Sequence, residues 1–279
     1  MFYGVAMFAT DYAIAPADLG RALEERGFES LWLPEHTHIP TSRKSPWPGG
    51  GDLPKEYWHS YDPFVALTAA ASVTRRLKLA TGICLLIERD PIVTAKEVAS
   101  LDRLSDGRFI FGIGGGWNAE EMEHHGTPFG KRWRILRERV LAMKELWTKD
   151  EAEFHGEYVR FEKSWAWPKP VQRPHPPILM GGDGPKTLDR VVEFCDGWMP
   201  IGRAGTGDFP AKIADLRARA ERGGRDPKRL PVTIFGVKPD RAEIDRLVAA
   251  GVERVVFLIP SGGADAVLPR LDALTKLIA

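Results

Sequence analysis

The residues best suited to proton chemistry are a glutamate and a histidine that follow a short apolar segment. Glu35 and His36 come directly after Ser30–Leu33, which is typical of a buried strand. A carboxylate and an imidazole together can transfer or orient a proton at a substrate. His38 extends the pair to Glu-His-x-His, which in a distant alternative interpretation is a fragment of the metal site of a metal-dependent barrel hydrolase. That interpretation needs further ligands after later strands, where no histidine follows and Asp183 is the only nearby carboxylate, so no metal site is predicted.

Two glycine-rich segments have the composition of an anion-binding loop. In the first, RFIFGIGGGWNAEE (108–121), an apolar strand ends at Gly114, Gly115 and Gly116, and a helix follows from Trp117. Consecutive glycines let backbone N–H groups approach an anion, and a helix N-terminus adds its positive dipole end. A phosphate cradle and a tight barrel turn both remain open as interpretations of this segment. The second segment, after a later strand, contains Gly181, Gly182, Gly184 and Pro185.

Length and composition indicate a globular protein without a nucleic-acid or membrane partner. The chain has 279 residues, of which 43% are hydrophobic and 28% are charged, and its formal net charge is +1. A charge so close to zero gives no sign of binding to nucleic acid or acidic membranes. No apolar run approaches the roughly eighteen residues that a membrane span requires. Cys84 and Cys195 lie far apart, which fits reduced thiols, so we expect a soluble cytoplasmic protein.

The pattern of strands and helices predicts the scaffold that must position these residues. Eight short apolar strands alternate with eight helices, two of which open with the cap sequence Asp-Pro at Asp62–Pro63 and Asp90–Pro91. Each connection is long enough for a right-handed crossover, which predicts a single-domain α/β fold, the (β/α)8 TIM barrel, over residues 1–279. The predicted strands are Tyr3–Phe8, Ser30–Leu33, Leu77–Ile83, Phe109–Ile113, Ile178–Met180, Trp198–Met199, Val232–Phe235 and Arg254–Ile259.

Two irregular segments interrupt this alternation. Residues 37–60 form a long loop rich in proline and glycine directly after His36, and we expect a lid without regular structure. Trp58 in this loop is a candidate substrate contact, because loop aromatics often mark binding surfaces. Residues 151–177 form an insertion that begins with a hairpin. Arg203, after the sixth strand, is a second candidate substrate contact for an anionic group.

The active site of a TIM barrel lies at the carboxyl ends of its strands. The predicted register brings Glu35 and His36 to this edge, together with the segments that follow the third, fourth and fifth strands. Because the richest glycine segments follow the fourth and fifth strands, a phosphate group is expected there rather than at Ser261–Gly263, after the last strand.

Five segments occur in an order and at a spacing that characterise a known family. They are LWLPEHTHIP (31–40), LATGICLLIERDP (79–91), SLDRLSDGRFIFGIGGGW (100–117), PKPVQRPHPPILMGG (168–182) and CDGW (195–198). Together they resemble the luciferase-like flavin and deazaflavin oxidoreductases, in particular the bacterial branch labelled F420-dependent. The resemblance implies hydride transfer between F420 and a small organic substrate. An FMN-dependent monooxygenase is the alternative, and a cofactor-binding protein with little activity also remains open.

The resemblance also implies roles for individual residues. Glu35 and His36 would lie beside the cofactor ring, with His36 as the proton donor. Thr81, Gly82 and Ile83 would form a backbone wall against the ring, with a non-proline cis peptide. The segment that packs along the cofactor would consist of Gly114, Gly115, Gly116 and Trp117. The loop on the phosphate side would contain Gly181, Gly182, Gly184 and Pro185.

Two further inferences depend on the same resemblance. Of the two glutamates that follow Trp117, the motif alignment favours Glu120 over Glu121 as a catalytic residue. Some sugar-phosphate-oxidising relatives carry a glutamate base at the position of Trp117, so their full mechanism does not transfer to this chain.

The helices at 62–74 and 91–105 form a dimer interface in relatives, and a homodimer is expected. Small residues in these helices would allow close approach of the partner: Ala66, Ala69, Ala70, Ala95 and Ala99.

Overall fold

The chain folds into a nearly closed barrel of eight parallel strands, as the computed structural model shows for the residues it describes, 1–202 and 208–278. In chain order the strands are β1 (Phe2–Ala6), β2 (Ser30–Leu33), β3 (Lys78–Thr81), β4 (Phe109–Ile113), β5 (Ala152–His155), β6 (Arg160–Ser164), β7 (Ile178–Gly181), β8 (Gly197–Met199), β9 (Thr233–Phe235) and β10 (Arg254–Leu258). The barrel order is β8–β7–β4–β3–β2–β1–β10–β9, and bridges from Trp198 to Val232 and from Ile201 to Phe235 join its ends. The predicted TIM barrel is confirmed.

Helices surround the barrel and connect its strands. Over the described ranges they are α1 (Pro16–Glu25), α2 (Glu56–His59), α3 (Pro63–Val73), α4 (Pro91–Leu104), α5 (Ala119–His124), α6 (Arg132–Thr148), α7 (Thr187–Phe194), α8 (Phe209–Arg222), α9 (Arg241–Ala249) and α10 (Ala264–Ile278). Short 3-10 turns lie at Leu86–Glu88, Phe129–Lys131 and Pro227–Arg229. None of these helices is long and apolar enough to cross a membrane. The predicted hairpin in the insertion is present as the antiparallel pair β5–β6.

Two details of the predicted elements are wrong. The sequence indicated one continuous helix after Trp117, but the structure divides it into α5 and α6. Gly126 lies between them with a φ of +75°, and a residue in this left-handed conformation commonly ends a helix. The loop at 37–60 was expected to lack regular structure, yet it contains α2. This helical turn forms where Tyr57 packs on Phe8, with ring centroids 4.7 Å apart.

Apolar side chains from successive strands fill the barrel interior. Trp32 is the largest of them, and its indole N–H donates to Ser30 Oγ at 2.8 Å. Such layers of side chains make the interior of a TIM barrel a packed core and leave its carboxyl-end rim for ligands. The buried cluster in the barrel consists of Ala6, Trp32, Ala80, Ile110, Leu179, Met199 and Val256.

Four of the five alanines that were expected to face a partner from α3 and α4 are turned inward, and the fifth, Ala69, is half-buried; the dimer itself stays a prediction. Ala66, Ala70, Ala95 and Ala99 are buried within the chain, so they offer no surface to a partner. Their small size instead allows close packing inside the protomer, where a Cβ on Gly20 of α1 would lie 2.9 Å from Ala70 Cβ. The apolar side chains exposed on these two helices are larger ones, including Val65, Val93 and Leu104.

Candidate active site

The carboxyl ends of β3, β4 and β7 meet around the side chain of Ile83. The peptide bond from Gly82 to Ile83 is cis, at the position that the family resemblance implies. A Cβ on Gly181 would lie 2.9 Å from Ile83 Cγ2, and a Cβ on Gly114 would overlap Ile83 Cδ1. The Ile83 side chain therefore packs directly against the backbone at both glycines. Thr81, at the end of β3, is buried and donates its hydroxyl to Gly112 O at 2.7 Å.

The two glycine segments differ in what surrounds them. In the first, a Cβ on Gly115 would lie 2.6 Å from the Trp133 ring, and Gly116 adopts a left-handed φ of +61°. This geometry favours the tight-turn interpretation. In the second, Gly182 has a φ of +97°, and no described atom lies within 4 Å of the Cβ position. Among the described residues, Gly184 has only Thr187 Oγ1 nearby, at 3.6 Å, and the backbone from Asp183 to Pro185 is exposed.

Two arginines stack on the Trp133 ring, which lies against Gly115 of the first glycine segment. The guanidinium carbon of Arg190 lies 3.9 Å from the ring centroid, and that of Arg132 lies 5.3 Å from it. Burial lowers the pKa of Arg132, and burial together with the neighbouring Arg132 lowers the pKa of Arg190. Within the described residues, Arg132 Nε is buried and has no hydrogen-bond partner. An anion bound beside them would reduce the repulsion between the two guanidinium groups and would accept a hydrogen bond from Arg132 Nε.

The Glu35 carboxylate is buried and forms an ion pair, so it is not available as an unpaired acid at the barrel mouth. Its Oε2 accepts from the backbone N–H of Leu85 at 2.7 Å, and its Oε1 accepts from Arg89 Nε at 2.6 Å. Arg89 also pairs with Asp62, at the start of α3, and with Glu97 of α4. Glu35 therefore fixes the loop after β3, and a different carboxylate contacts His36.

That carboxylate is Glu121, the glutamate that the motif alignment set aside. His36 Nδ1 donates to Glu121 Oε2 at 2.7 Å, and the Thr37 backbone N–H donates to Oε1 at 3.2 Å. The Glu121 side chain is fully buried, so this contact is sheltered from water. Asn118 caps α5 and places Glu121 at the third helical position, but a capping pattern gives no signal for a contact with a distant histidine.

Glu120 instead holds the long loop to α5. Its carboxylate accepts from the Ser45 backbone N–H at 2.8 Å and from the Ser45 hydroxyl. The other end of the loop is fixed where Ser60 bridges to Thr10 in an antiparallel pair. Glu120 thus positions the loop and Glu121 contacts the histidine, while the catalytic role that the motif alignment implies for Glu120 stays a prediction.

Aromatic rings from this loop and from the β4 segment cover His36. Its ring centroid lies 5.1 Å from that of Tyr57 and 5.8 Å from that of Trp117. Trp58, which the sequence favoured as a substrate contact, is 50% exposed and packs on His59. Tyr57 is thus the loop residue against the histidine. Arg203 lies outside the residues that the structure describes.

The remaining histidines of this region contact one another. His38 Nε2 and His124 Nδ1 share a hydrogen bond of 2.8 Å, and Thr37 Oγ1 lies 2.7 Å from His125 Nε2. Side chains with the spacing of a metal site occur elsewhere. Among the described residues that group is Glu153, His155 and Glu162, which are exposed on the β5–β6 hairpin rather than at the barrel mouth.

Comparison with known proteins places the chain in a family. The family model for luciferase-like monooxygenases matches residues 13–266, and the chain belongs to this family. It is a luciferase-like oxidoreductase, in a group whose members depend on F420 or FMN. An uncharacterized protein of Mycobacterium tuberculosis is 42% identical over 285 residues, covering 100% of this chain and 99% of the relative.

Two further comparisons differ in cofactor. The FMNH2-dependent dimethylsulfone monooxygenase of Pseudomonas putida is 32% identical over 187 residues, which is 66% of this chain and 51% of that protein. A solved F420-dependent secondary alcohol dehydrogenase, in complex with an F420-acetone adduct, superposes with a TM-score of 0.75 at 19% identity, covering 99% and 98% of the two chains. This last likeness shows the fold.

The close packing of β4 against β3 makes a stability prediction. Gly112→Ala adds a methyl group that overlaps the backbone oxygen of Thr81, which cannot rotate away as a side chain can, so overpacking should lower the free energy of unfolding by about 1–3 kcal/mol. Urea denaturation measures the change. The matched control is Gly130→Ala, because no described atom lies within 4 Å of that Cβ position, and it should change stability by less than about 0.5 kcal/mol. Equal effects of the two variants would contradict the packing argument.

Proposed function

We propose that this protein is an F420-dependent oxidoreductase that transfers a hydride between the deazaflavin and a small organic substrate at the barrel mouth. The proposal rests on two groups of residues, which we propose form one cationic cradle: the exposed backbone of Gly182–Pro185, and the guanidinium groups that stack on Trp133. Arg132 Nε, which has no hydrogen-bond partner among the described residues, can donate to an acceptor there. A cofactor with a phosphate and an acidic tail supplies that acceptor, so the residues present fit F420.

Additional basic residues near the barrel mouth support F420 over a cofactor with a single phosphate. Lys186 follows the cradle and is exposed at the start of α7. Arg43, in the long loop, lies with its guanidinium carbon 5.7 Å from the centroid of the Trp117 ring. Each added cation lowers the electrostatic free energy of an acidic tail, so the charge distribution favours the more anionic cofactor.

The side chains around His36 carry the proton chemistry of this proposal. When bound, the deazaflavin supplies or accepts the hydride at C5. Because His36 Nδ1 is committed to Glu121, Nε2 is the ring nitrogen that takes a hydroxyl proton on oxidation of an alcohol or returns it on reduction. Tyr57 and Trp117 cover the imidazole and limit the access of water. The loop that carries Tyr57 is proposed to act as the lid.

The second candidate is an FMN-dependent monooxygenase. It is favoured by the family assignment and by the identity to a monooxygenase whose name states dependence on FMNH2. FMN also carries a phosphate, so the cradle at Gly182–Pro185 suits it as well. The two proposals differ in the cofactor and in whether oxygen is a reactant. The relative affinity of the protein for F420 and for FMN distinguishes the cofactors.

The first prediction of the proposal concerns cofactor affinity. The purified protein should bind F420 more tightly than FMN, and Arg190→Gln should weaken F420 binding about tenfold, which corresponds to about 1.4 kcal/mol. Titration followed by Trp fluorescence and by cofactor absorbance measures both. Arg137→Gln is the control, since Arg137 pairs with Glu193 in an exposed position of α6. Tighter binding of FMN would support the second candidate, and one bound metal per chain with neither cofactor would contradict both.

His36 provides a test of the chemical step. His36→Ala should lower turnover about 10²–10⁴-fold, the usual contribution of a general acid or base, while the cofactor dissociation constant stays within about threefold. Steady-state kinetics with short-chain alcohols and F420 measure the first quantity, and cofactor titration measures the second. His155→Ala, on the exposed hairpin, is the control. Unchanged turnover in His36→Ala would show that this histidine takes no part in the reaction.

A homodimer through α3 and α4 is proposed from their outward-facing apolar side chains. Val65 is 71% exposed and Leu104 is 70% exposed, and contiguous apolar surface of this kind marks protein interfaces. Light scattering at tens of micromolar should give the mass of a dimer for the wild type and of a monomer for Val65→Asp/Leu104→Glu. Val248→Asp, on α9, should leave the dimer intact. A monomeric wild type would contradict the proposed interface.

A further inference from the structure

A second buried glutamate lies directly behind the His36–Glu121 pair. Glu88 ends the 3-10 turn that follows β3, and its carboxyl group is in hydrogen-bond contact with that of Glu121 in the first turn of α5. Both residues are buried, Glu88 with 7% and Glu121 with none of its surface exposed. Over the described ranges, Glu88 Oε2 is buried without a hydrogen-bond partner.

The charged groups around this carboxyl pair leave it without a cation of its own. Arg89, next in the chain, is occupied by Glu35, Asp62 and Glu97. Arg139 of α6 acts on Glu88 through its charge, but its Nη1 donates to the backbone oxygen of Leu86 at 2.7 Å. In the described part of the chain, no lysine or arginine forms an ion pair with either carboxyl group of the pair.

Two carboxylates in contact and out of water cannot both be ionised, because each disfavours the charge of the other and burial disfavours both charges. A proton shared between them removes the repulsion and forms a strong hydrogen bond. Glu121 already accepts from His36 and from Thr37, which stabilises its charged form. The proton therefore belongs on Glu88.

We propose that Glu88 is a positioning residue that retains a proton and donates it to Glu121, so that the two carboxyl groups behind His36 carry a single negative charge. Burial, then the charges of Glu121 and Glu35, raise the pKa of Glu88 to about 9. With one negative charge, the Glu88–Glu121 pair neutralises the single positive charge of a protonated His36 imidazole, and no excess negative charge remains. The role of the pair in catalysis rests on the proposed function of His36, whereas the shared proton does not.

Infrared spectroscopy of the cofactor-free protein tests the shared proton directly. The wild type at pH 7 should show the C=O band of a protonated carboxylic acid, which should disappear as the pH rises through about 9. Glu88→Gln should lack this band at pH 7. Glu97→Gln is the control, because burial also raises the pKa of Glu97, and it should retain the band. Absence of the band in the wild type, or its loss in Glu97→Gln alone, would overturn the proposal.

The pH dependence of stability gives an independent measurement. Between the ordinary value near 4.5 and about 9, folded Glu88 holds a proton that the unfolded chain releases, so wild-type stability should fall as the pH rises through this window. Glu88→Gln lacks this effect. The ratio of its folding constant to that of the wild type, measured in urea between pH 5 and 9, should increase by a factor approaching tenfold per pH unit. A ratio independent of pH would overturn the proposal.

The link to His36 is tested with two substitutions at one position. A glutamine side chain donates an N–H to Glu121 as a protonated glutamate does, but a leucine donates nothing. The pH–rate profile should therefore be displaced in Glu88→Leu and restored toward that of the wild type in Glu88→Gln, with KM within about twofold in both. Identical pH–rate profiles of the two variants would show that hydrogen-bond donation from position 88 has no effect on His36. The infrared and urea measurements need neither cofactor nor substrate, so they decide the shared proton even if the proposed redox activity is absent.

Discussion

One buried guanidinium group ties together the edge of the barrel where the chemistry lies. Arg89 pairs with Glu35 after β2, with Asp62 at the start of α3, and with Glu97 of α4. The same Glu35 accepts from the backbone N–H of Leu85, just beyond the cis peptide. Arg89 is itself only partly exposed, but Glu35 is buried, and loss of its cation would leave a buried carboxylate unpaired, so this contact fixes the relative positions of the segments.

Carboxyl groups at this edge show two ways of placing acidity in a protein interior. Glu35 is neutralised by a cation and becomes a structural anchor. Glu88, for which no such cation is in place among the described residues, meets Glu121 instead, and burial together with that neighbour raises its pKa. Geometry decides between an ion pair and a retained proton. Arg89 pairs with Glu35, which is distant in the chain, and not with Glu88, which is its neighbour in the chain.

The glycines show a similar division of roles. Those after β4 have close neighbours, Ile83 at Gly114 and Trp133 at Gly115, whereas no described atom lies within 4 Å of the Cβ position of Gly182 after β7. Packing thus shapes the wall formed by β4 and Trp133, on whose ring Arg132 and Arg190 stack. Anion binding and chain packing are separate uses of the same residue type, and neighbouring atoms distinguish them.

The sequence by itself determined the barrel, the Asp-Pro starts of α3 and α4, and the family, because strand alternation, caps and motifs are local or ordered signals. It also brought Glu35 and His36 to the carboxyl edge. Only the tertiary structure decided between Glu120 and Glu121, since consecutive helical residues point about 100° apart and the contact with His36 spans 85 positions. The same reason applies to the choice of Tyr57 over Trp58 and to the inward-facing alanines of α3 and α4, because the face that a side chain presents is set by elements distant in the chain.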